Sequence, residues 1–318
     1  LILEKQEMLE LRRLRYFVTV ADELHFGRAA LRLRIAQPPL TRHIAALEAR
    51  LGIRLFERST RTVCLTPEGE LFLQQARGVI SAVGEAEATA RKIAHGAIGR
   101  IVIGYASSIP LSNAFSEMIR NTSRSLPEVE LAFREVSTAS QRQQLIDGSL
   151  DIGFGWGAPN LPAHGLQSLV SSRDSLVVAV PSRSAFAGRS SLGFCELAGE
   201  SFVTFPSAYG SALNTALEDL CAHSGIIPRL GPTASQMTTL VSLVAAERGV
   251  AVVPDYTATL QRPGVVYVPL AEPYVLEQTV SWRTPLGSRC LERFVELART
   301  LAAPLPAPAA GPEWRLRG

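Results

Sequence analysis

Apolar positions over the first 66 residues recur at helical spacing and break where turn residues fall. Leu11, Leu14, Phe17, Val18 and Ala21 make one face of a first helix, which His25 and Phe26 interrupt. A short second helix is expected over about residues 27–33, with Ala29, Ala30 and Leu33 turned inward. Small residues there let another helix cross closely, as a helix-turn-helix requires. Residues 34–36 form the turn, with Ile35 as its apolar plug. Pro38 and Pro39 fit only in the first turn of a third helix, where a missing N–H costs nothing. Leu40, Ile44, Leu47 and Leu51 follow at steps of four, three and four and make one buried stripe. At about 100° per residue, Arg42 lies nearly opposite that stripe. Pro38, Ala45 and Ala49 share its face, flanked by Thr41 and Ala46. Such a face lacks the long acidic chains that solubilise a helix, so it can lie deep against something else. Gly52 stops the helix. Short apolar runs at 54–56 and 63–65, separated by Glu57-Arg58-Ser59-Thr60-Arg61-Thr62, read as a β-hairpin with a basic, hydroxyl-rich tip.

Thr66-Pro67-Glu68 is a helix start: a hydroxyl N-cap, proline at the first position, and an acid near the positive dipole end. Phe72, Ala76, Val79, Val83, Ala86, Ala90 and Ile93 then keep steps of four and three over three heptads, a seam for another helix. A linker helix over 67–95 would be a rod of roughly 40 Å. The seam suits either an internal core or a second chain. A rod with little core of its own favours the second chain. Residues 95–99, His-Gly-Ala-Ile-Gly, end the helix and are expected to act as a hinge.

Beyond the hinge, strand-like runs at 101–103, 130–133, 151–154, 176–180, 202–205 and 250–253 alternate with helical stretches near 111–125, 139–147, 209–223, 236–247 and 287–301. That alternation predicts a mostly parallel sheet with helices on its faces. The chain is expected to leave a first α/β lobe (about 100–174) at 177–180, form a second (about 175–268), and return near 268–275 to complete the first (269–302). Residues 303–318, rich in Pro and Ala, are expected to be disordered.

Composition is ordinary for a globular chain, 47% apolar and 19% charged. No run approaches a membrane span. The N-terminus carries acids and no apolar segment before a cleavage site, which points to the cytoplasm, with Met8 the expected start and residues 1–7 an extension. Thirty Arg against two Lys suit a GC-rich genome. The net charge of +3 is uneven: residues 26–62 carry eight Arg against Glu48 and Glu57. A basic module on a slightly acidic body suits docking onto a polyanion, although charge alone fits a solvated basic face equally well. Cys64, Cys195, Cys221 and Cys290 form neither a CxxC pair nor a Cys/His set, so reduced thiols are expected and no metal site. Gly153-Phe154-Gly155-Trp156-Gly157 lacks the third glycine of a dinucleotide fingerprint, and no P-loop, HExxH or GxSxG occurs. No catalytic residue or cofactor is therefore assigned. A solute-binding transport protein would match residues 100–302 but not the basic module.

The candidate chemistry lies in two places. A major groove accepts a helix whose first residues reach base edges. Gln37 and Arg42 have the chemistry for adenine and guanine edges, and Thr41 for a thymine methyl or a phosphate. Arg58 and Arg61 at the hairpin tip would reach the adjacent minor groove or backbone, unless the hairpin only caps the helices. In open α/β sheets, ligands bind beyond the carboxyl ends of strands, at helix N-termini. Ser107 and Ser108, Ser137 and Thr138, and Phe205, Pro206 and Ser207 stand at such ends, with Gln236 at a fourth helix start. Hydroxyls and free N–H groups there would hold a carboxylate. Each alone is equally a plain N-cap; Thr138 followed by Gln141 is a capping-box pattern.

The stretch LRRLRYFVTVADELHFGRAALRLRIAQPPLTRHIAALEARLGIRLFERSTRTVCLTPEG resembles the DNA-binding region of LysR-type transcriptional regulators nearly from end to end. ELHFGRAA and IAQPPL look most like the branch controlling catabolism of aromatic compounds. Cys64 stands where an arginine or β-branched residue is expected. The resemblance implies a winged helix-turn-helix over residues 8–66 and a two-lobed α/β effector domain over 96–302 like type 2 periplasmic binding proteins. It is weaker in the second part, carried by STASQ-x-x-x-LIDG-x-LDIG and AA-x-x-GVAVVP. It implies Gln37, Pro38, Pro39, Thr41 and Arg42 against double-stranded DNA, with Arg58 and Arg61 in the wing; Arg28 and Arg34 are also expected at the DNA. The implied partners are a promoter with two half-sites, RNA polymerase, and a second copy of the chain as an antiparallel homodimer and homotetramer. The implied effector is a small anion, an aromatic acid or ring-cleavage product.

Overall fold

The structure, a computed structural model, describes residues 9–58, 62–157, 165–209 and 211–302. The expected start at Met8, the tip residue Arg61 and the tail 303–318 lie outside the described residues. The chain divides into two bodies, one up to Arg91 and one from Lys92.

The first body packs α1 (Leu11–Glu23), α2 (Phe26–Leu33) and α3 (Gln37–Leu51) around one core. Leu14, Phe17 and Val20 of α1, Phe26, Ala29 and Ala30 of α2, and Leu40, Ile44 and Leu47 of α3 are buried in it. The second helix begins one residue earlier than its pattern suggests. His25 is its N-cap, Nδ1 accepting from the N–H groups of Gly27 and Arg28 at 3.0 and 3.2 Å, which frees Phe26 to turn inward. Ile35 is half-buried against the core, as a plug should be. The wing pairs β1 (Phe56–Arg58) with β2 (Val63–Leu65), two residues later on its first side than the expected 54–56. The reason is local. The N–H groups of Leu55 and Phe56 donate to Glu48 of α3 at 2.9 and 3.2 Å, while Arg54 and Leu55 offer their carbonyls to Thr66. Leu55 is thereby a buried plug ahead of the strand.

Helix α4 (Pro67–Ala94) starts as its sequence predicts: Thr66 Oγ1 accepts from the Gly69 N–H at 2.9 Å. Gly69 is required there, because a Cβ would stand 2.2 Å from the Leu55 carbonyl oxygen. The expected seam is divided. Phe72 and Ala76 belong to the core of this first body, with Phe72 and Phe17 rings 5.3 Å apart. From Val79 (47% exposed) to Ile93 (58% exposed) the remaining apolar positions lie open or half-buried. The residues expected to act as a hinge, 95–99, lie at the start of the second body. Gly96 is buried against the backbone of Arg289 and Cys290, Lys92 Nζ reaches both Glu128 oxygens at 2.6 and 2.9 Å, and residue 98 already belongs to a strand.

The second body holds β3 (Ile98–Tyr105), α5 (Asn113–Ser125), β4 (Glu128–Glu135), α6 (Thr138–Asp147), β5 (Ile152–Trp156), β6 (Leu166–Pro181), β7 (Ser201–Thr204), α7 (Ala212–Ser224), β8 (Arg229–Thr233), α8 (Met237–Ala245), β9 (Ala251–Pro254), β10 (Val265–Pro269), β11 (Val275–Arg283) and α9 (Arg289–Ala302). Strands β3, β4 and β5 are parallel, as are β7 and β8, but β11 runs antiparallel to both β5 and β6, and β9 and β10 antiparallel to β6. The sheet is therefore mixed, not mostly parallel. One 16-residue strand, β6, pairs with β11 in the first lobe and from Leu176 with β9 and β10 in the second. The chain returns along β11, and two passages in opposite directions make these central strands antiparallel. Ile101, Ile103, Phe154, Val280 and Phe294 fill the first lobe; Val178, Phe194, Phe202, Leu240 and Val252 fill the second.

The glycines of β5 have a packing role. A Cβ on Gly153 would lie 2.6 Å from Gln141 Oε1, and one on Gly155 2.9 Å from Thr138, so α6 can lie directly on the strand. No described helix is long and apolar enough to cross a membrane.

Cys64 and Cys195 are exposed, while Cys221 and Cys290 are buried, and burial pushes the Cys221 thiol up to about 11. The thiolate is the reactive form. Titration of the native protein with an aromatic disulfide at pH 8 is expected to release two fast equivalents, and four only after denaturation. A third fast thiol would contradict the packing of α7 or α9.

Candidate nucleic-acid interface and ligand cavity

On α3, Leu40, Ile44 and Leu47 point home, and Gln37, Pro38, Arg42, Ala45, Ala46 and Ala49 are exposed. Pro39 and Thr41 are half-buried, and Thr41 Oγ1 donates to the Gln37 carbonyl at 3.2 Å. The side chains of Arg34 and Arg42 make no hydrogen bond or ion pair. Arg34 sits in the left-handed conformation that closes α2 (φ +57°) and is exposed beside the start of α3.

The other arginines are more engaged than the sequence suggests. Arg28 donates to the Glu23 carbonyl at 2.5 Å and Arg32 pairs with Asp22 and Glu23, yet both stay well exposed. Arg58, expected at the wing tip, lies inside β1. Its Nη2 is 2.8 Å from Glu48 Oε2 and its guanidinium 4.9 Å from the centre of the Phe26 ring. It clamps the wing to α2 and α3. Glu48 thus accepts from two backbone N–H groups and one guanidinium, a role the sequence signals only as a lone acid in a basic stretch.

In the second body, a cavity of about 600 Å³ lies between the lobes. It opens beyond the carboxyl ends of β3, β4, β5 and β7, as open α/β sheets require. Of the expected residues, Ser107, Ser108, Ser137, Thr138, Phe205 and Gln236 line it. Pro206 and Ser207 do not. The chain turns there, with the Tyr209 N–H bonding to the Pro206 carbonyl at 3.0 Å, so the next residues, Ala208 and Tyr209, face the cavity instead. Trp156, Glu135, Ser140, Gln144, Ser211, Leu213 and Ser235 complete the lining and were not anticipated. Trp156 was concealed in the glycine run, and Ser211 carries the same signal as Ser137, a hydroxyl before a helix.

Several of the hydroxyls already serve the protein. Ser137, not Thr138, caps α6, accepting from the Ser140 N–H at 3.3 Å. Thr138 Oγ1 accepts from the Trp156 N–H at 3.4 Å, and Ser108 Oγ from Trp156 Nε1 at 3.1 Å. Gln141 does not complete a capping box; its amide turns inward to the carbonyls of Val136 and Phe154 at 2.8 and 2.9 Å. What remains free is the backbone. The first turns of α6, α7 and α8 border the cavity from both lobes, and α8 has no side-chain cap. Helix N-termini present unpaired N–H groups and the positive dipole end. Three of them around one cavity can hold an anion without a basic side chain.

Trp156 stacks on the half-buried Tyr256 at 6.3 Å, whose phenol desolvation raises well above its ordinary range. Asp174 is nearby; burial raises its carboxyl above the usual range although Ser172 donates to it at 2.7 Å. Ser172 also lies 3.0 Å from Oε1 of the fully buried Gln278. Ser172, Asp174 and Gln278 thus form a polar cluster on the paired strands β6 and β11 that join the lobes.

Residues 11–70 match the family model described as bacterial regulatory helix-turn-helix protein, lysR family, and residues 94–303 match LysR substrate binding domain. The chain is 38% identical over 264 residues to an uncharacterized HTH-type transcriptional regulator, YnfL, of Escherichia coli strain K12, covering 83% of this chain and 88% of that relative. It is 32% identical to the HTH-type transcriptional regulator XapR of the same organism, covering 87% and 95% of the two chains. Its fold is similar to full-length CbnR crystallised with its target DNA, with a TM-score of 0.80, 27% identity, and 92% and 100% coverage.

The Glu48 clamp predicts a stability effect without an outward contact. Glu48→Ala leaves two partly buried N–H groups unpaired and is expected to cost about 2–3 kcal/mol in urea unfolding. Glu48→Gln, which keeps an acceptor oxygen, should cost less. A loss under about 0.5 kcal/mol for the alanine variant, the range of an ordinary surface change, would remove the clamp.

Proposed function

The chain belongs to the LysR family of DNA-binding transcriptional regulators, and from that premise we propose that α3 reads a promoter while the interlobe cavity binds the small molecule that controls it. It is a regulator and not an enzyme. The observation that carries the DNA reading is the outward surface of α3, bare except for proline, alanine and the unpaired Arg42. Gln37, Thr41 and Arg42 face base edges in the major groove, and Pro38 and Pro39 let the backbone approach closely. Arg28 and Arg34 take phosphates. At the wing, Arg61 lies between the strand residues in sequence, and Arg58 positions the hairpin rather than meeting the backbone freely. The similarity to CbnR solved with its target DNA supports this arrangement.

The open apolar positions of α4 from Val79 to Ile93 take the same helix of a second copy, giving a homodimer for two half-sites and, by further pairing, a homotetramer. RNA polymerase is the partner through which such a regulator acts. The effector is a small carboxylic acid held at the first turns of α6, α7 and α8, its apolar body against Trp156, Phe205 and Tyr209. Aromatic acids and ring-cleavage products are the classes that the resemblance in ELHFGRAA and IAQPPL suggests. The effector acts by differential affinity for two arrangements of the lobes.

Arg42→Ala is expected to weaken binding to a specific two-half-site fragment by about 1–3 kcal/mol while leaving random DNA little changed. Fluorescence anisotropy over a salt series measures both. Equal loss on the two DNAs would reduce Arg42 to a phosphate contact, and no specific binding by the intact chain would end the promoter reading.

The effector reading has its own check. A carboxylic acid present at a hundredfold excess over its dissociation constant should stabilise the native protein by about 2.7 kcal/mol. A thermal-shift screen of benzoate, phenylacetate, 3-phenylpropanoate, muconate and α-amino acids, each as its carboxylate, is expected to raise the melting temperature for at least one. A cavity that no member of this set stabilises does not bind carboxylates.

A further inference from the structure

The charge of the interlobe cavity is peculiar for an anion site. Among its described lining residues there is no Lys, Arg or His, and one acidic residue, Glu135. Glu135 is the last residue of β4, two positions before the α6 cap Ser137, and it is exposed. Its side chain makes no hydrogen bond or ion pair with the protein. A ligand bearing only negative charge would meet the first turns of α6, α7 and α8 on some sides and this uncompensated carboxylate on another. Like charges this close repel, and no guanidinium or ammonium of the lining offsets the repulsion. A ligand with one carboxylate and one ammonium satisfies both features at once.

Resting on the carboxylate reading above, we infer that the effector is an α-amino acid with an apolar side chain, its carboxylate on the helix N-termini and its ammonium donated to Glu135. The apolar side chain lies against Trp156, Phe205, Tyr209 and Leu213, which supply the wall that a polar amino acid would leave unsatisfied. Dicarboxylates are the poorest match, because both charges would share the cavity with Glu135. A hydrogen bond between charged groups in a partly dry cleft discriminates strongly against a ligand that lacks its donor.

The test compares each amino acid with its own des-amino acid on the full chain. Proteinogenic amino acids are first screened by thermal shift, and the hits are titrated calorimetrically beside their partners, such as L-phenylalanine beside 3-phenylpropanoate and L-leucine beside 4-methylpentanoate. At least one amino acid is expected to bind about tenfold or more tightly than its des-amino partner. In Glu135→Gln that preference should fall to near unity, with the des-amino acid bound more tightly than before because a repulsive charge is gone. If des-amino acids bind wild type as well as amino acids do, the inference falls and the carboxylate reading stands. If the preference survives in Glu135→Gln, Glu135 is not the ammonium's partner and the inference falls equally. If neither series binds, the inference falls, and the carboxylate reading stands only where benzoate, phenylacetate or muconate stabilises the chain.

Discussion

The DNA-reading body depends on a carboxylate turned inward. Glu48 leaves α3 on its wing side, where it accepts from the N–H groups of Leu55 and Phe56 and pairs with Arg58. A helix needs polar chains for solubility, and the usual place for an acid is its outward face. Here the acid of α3 is spent on the fold, and the outward face keeps proline, alanine and one arginine. The same contact sets the wing. Because Leu55 is pinned and buried, the strand begins at Phe56, and Arg58 packs over Phe26 as a clamp. One half-buried acceptor therefore decides two things together: which helix surface is bare, and how far the hairpin stands from it.

The parts of the fold legible in the sequence are those fixed by side-chain period. The leucine stripe of α3, the proline start, the N-cap at Thr66 and the lobe return near 268–275 all follow from spacing or local turn chemistry. What was hidden depends on partners distant in sequence. The first ten residues of β6, Leu-Gln-Ser-Leu-Val-Ser-Ser-Arg-Asp-Ser, show no apolar alternation, yet they form a long strand because β11 supplies their hydrogen bonds. Likewise β8, Arg-Leu-Gly-Pro-Thr, is a strand through β7 alone. The parallel sheet expected from alternating elements becomes mixed for the same reason, since pairing order is not written in period.

The cavity shows the same division. Strand ends and helix starts are readable, so six of the eight expected residues line it. Which atom of a Ser-Thr pair caps a helix is not readable: Ser137 does so, while Thr138 is taken by the Trp156 N–H and lies against Gly155. The glycine run that resembles a nucleotide loop is instead a buried strand, bare of side chains at the two positions where α6 rests on it. Trp156 also stacks on Tyr256, and Ser172 lies between Asp174 and Gln278 on the strands that both lobes share.

Helix α4 connects these chemistries through a length argument. Its 28 residues span about 42 Å, but only the first two seam positions are covered by the chain's own core. An isolated helix draws most of its stability from packing an apolar face, and here that face stays open from Val79 to Ile93. Alanines at 86 and 90 remove the bulk that would hold another helix away, so a close partner is favoured over solvent. At its far end the last turn belongs to the second body, where Lys92 reaches Glu128 and Gly96 packs against Arg289 and Cys290. Under the proposed pairing, the geometry of two α4 helices is what a ligand in the cavity must bias in order to change how two α3 helices meet DNA.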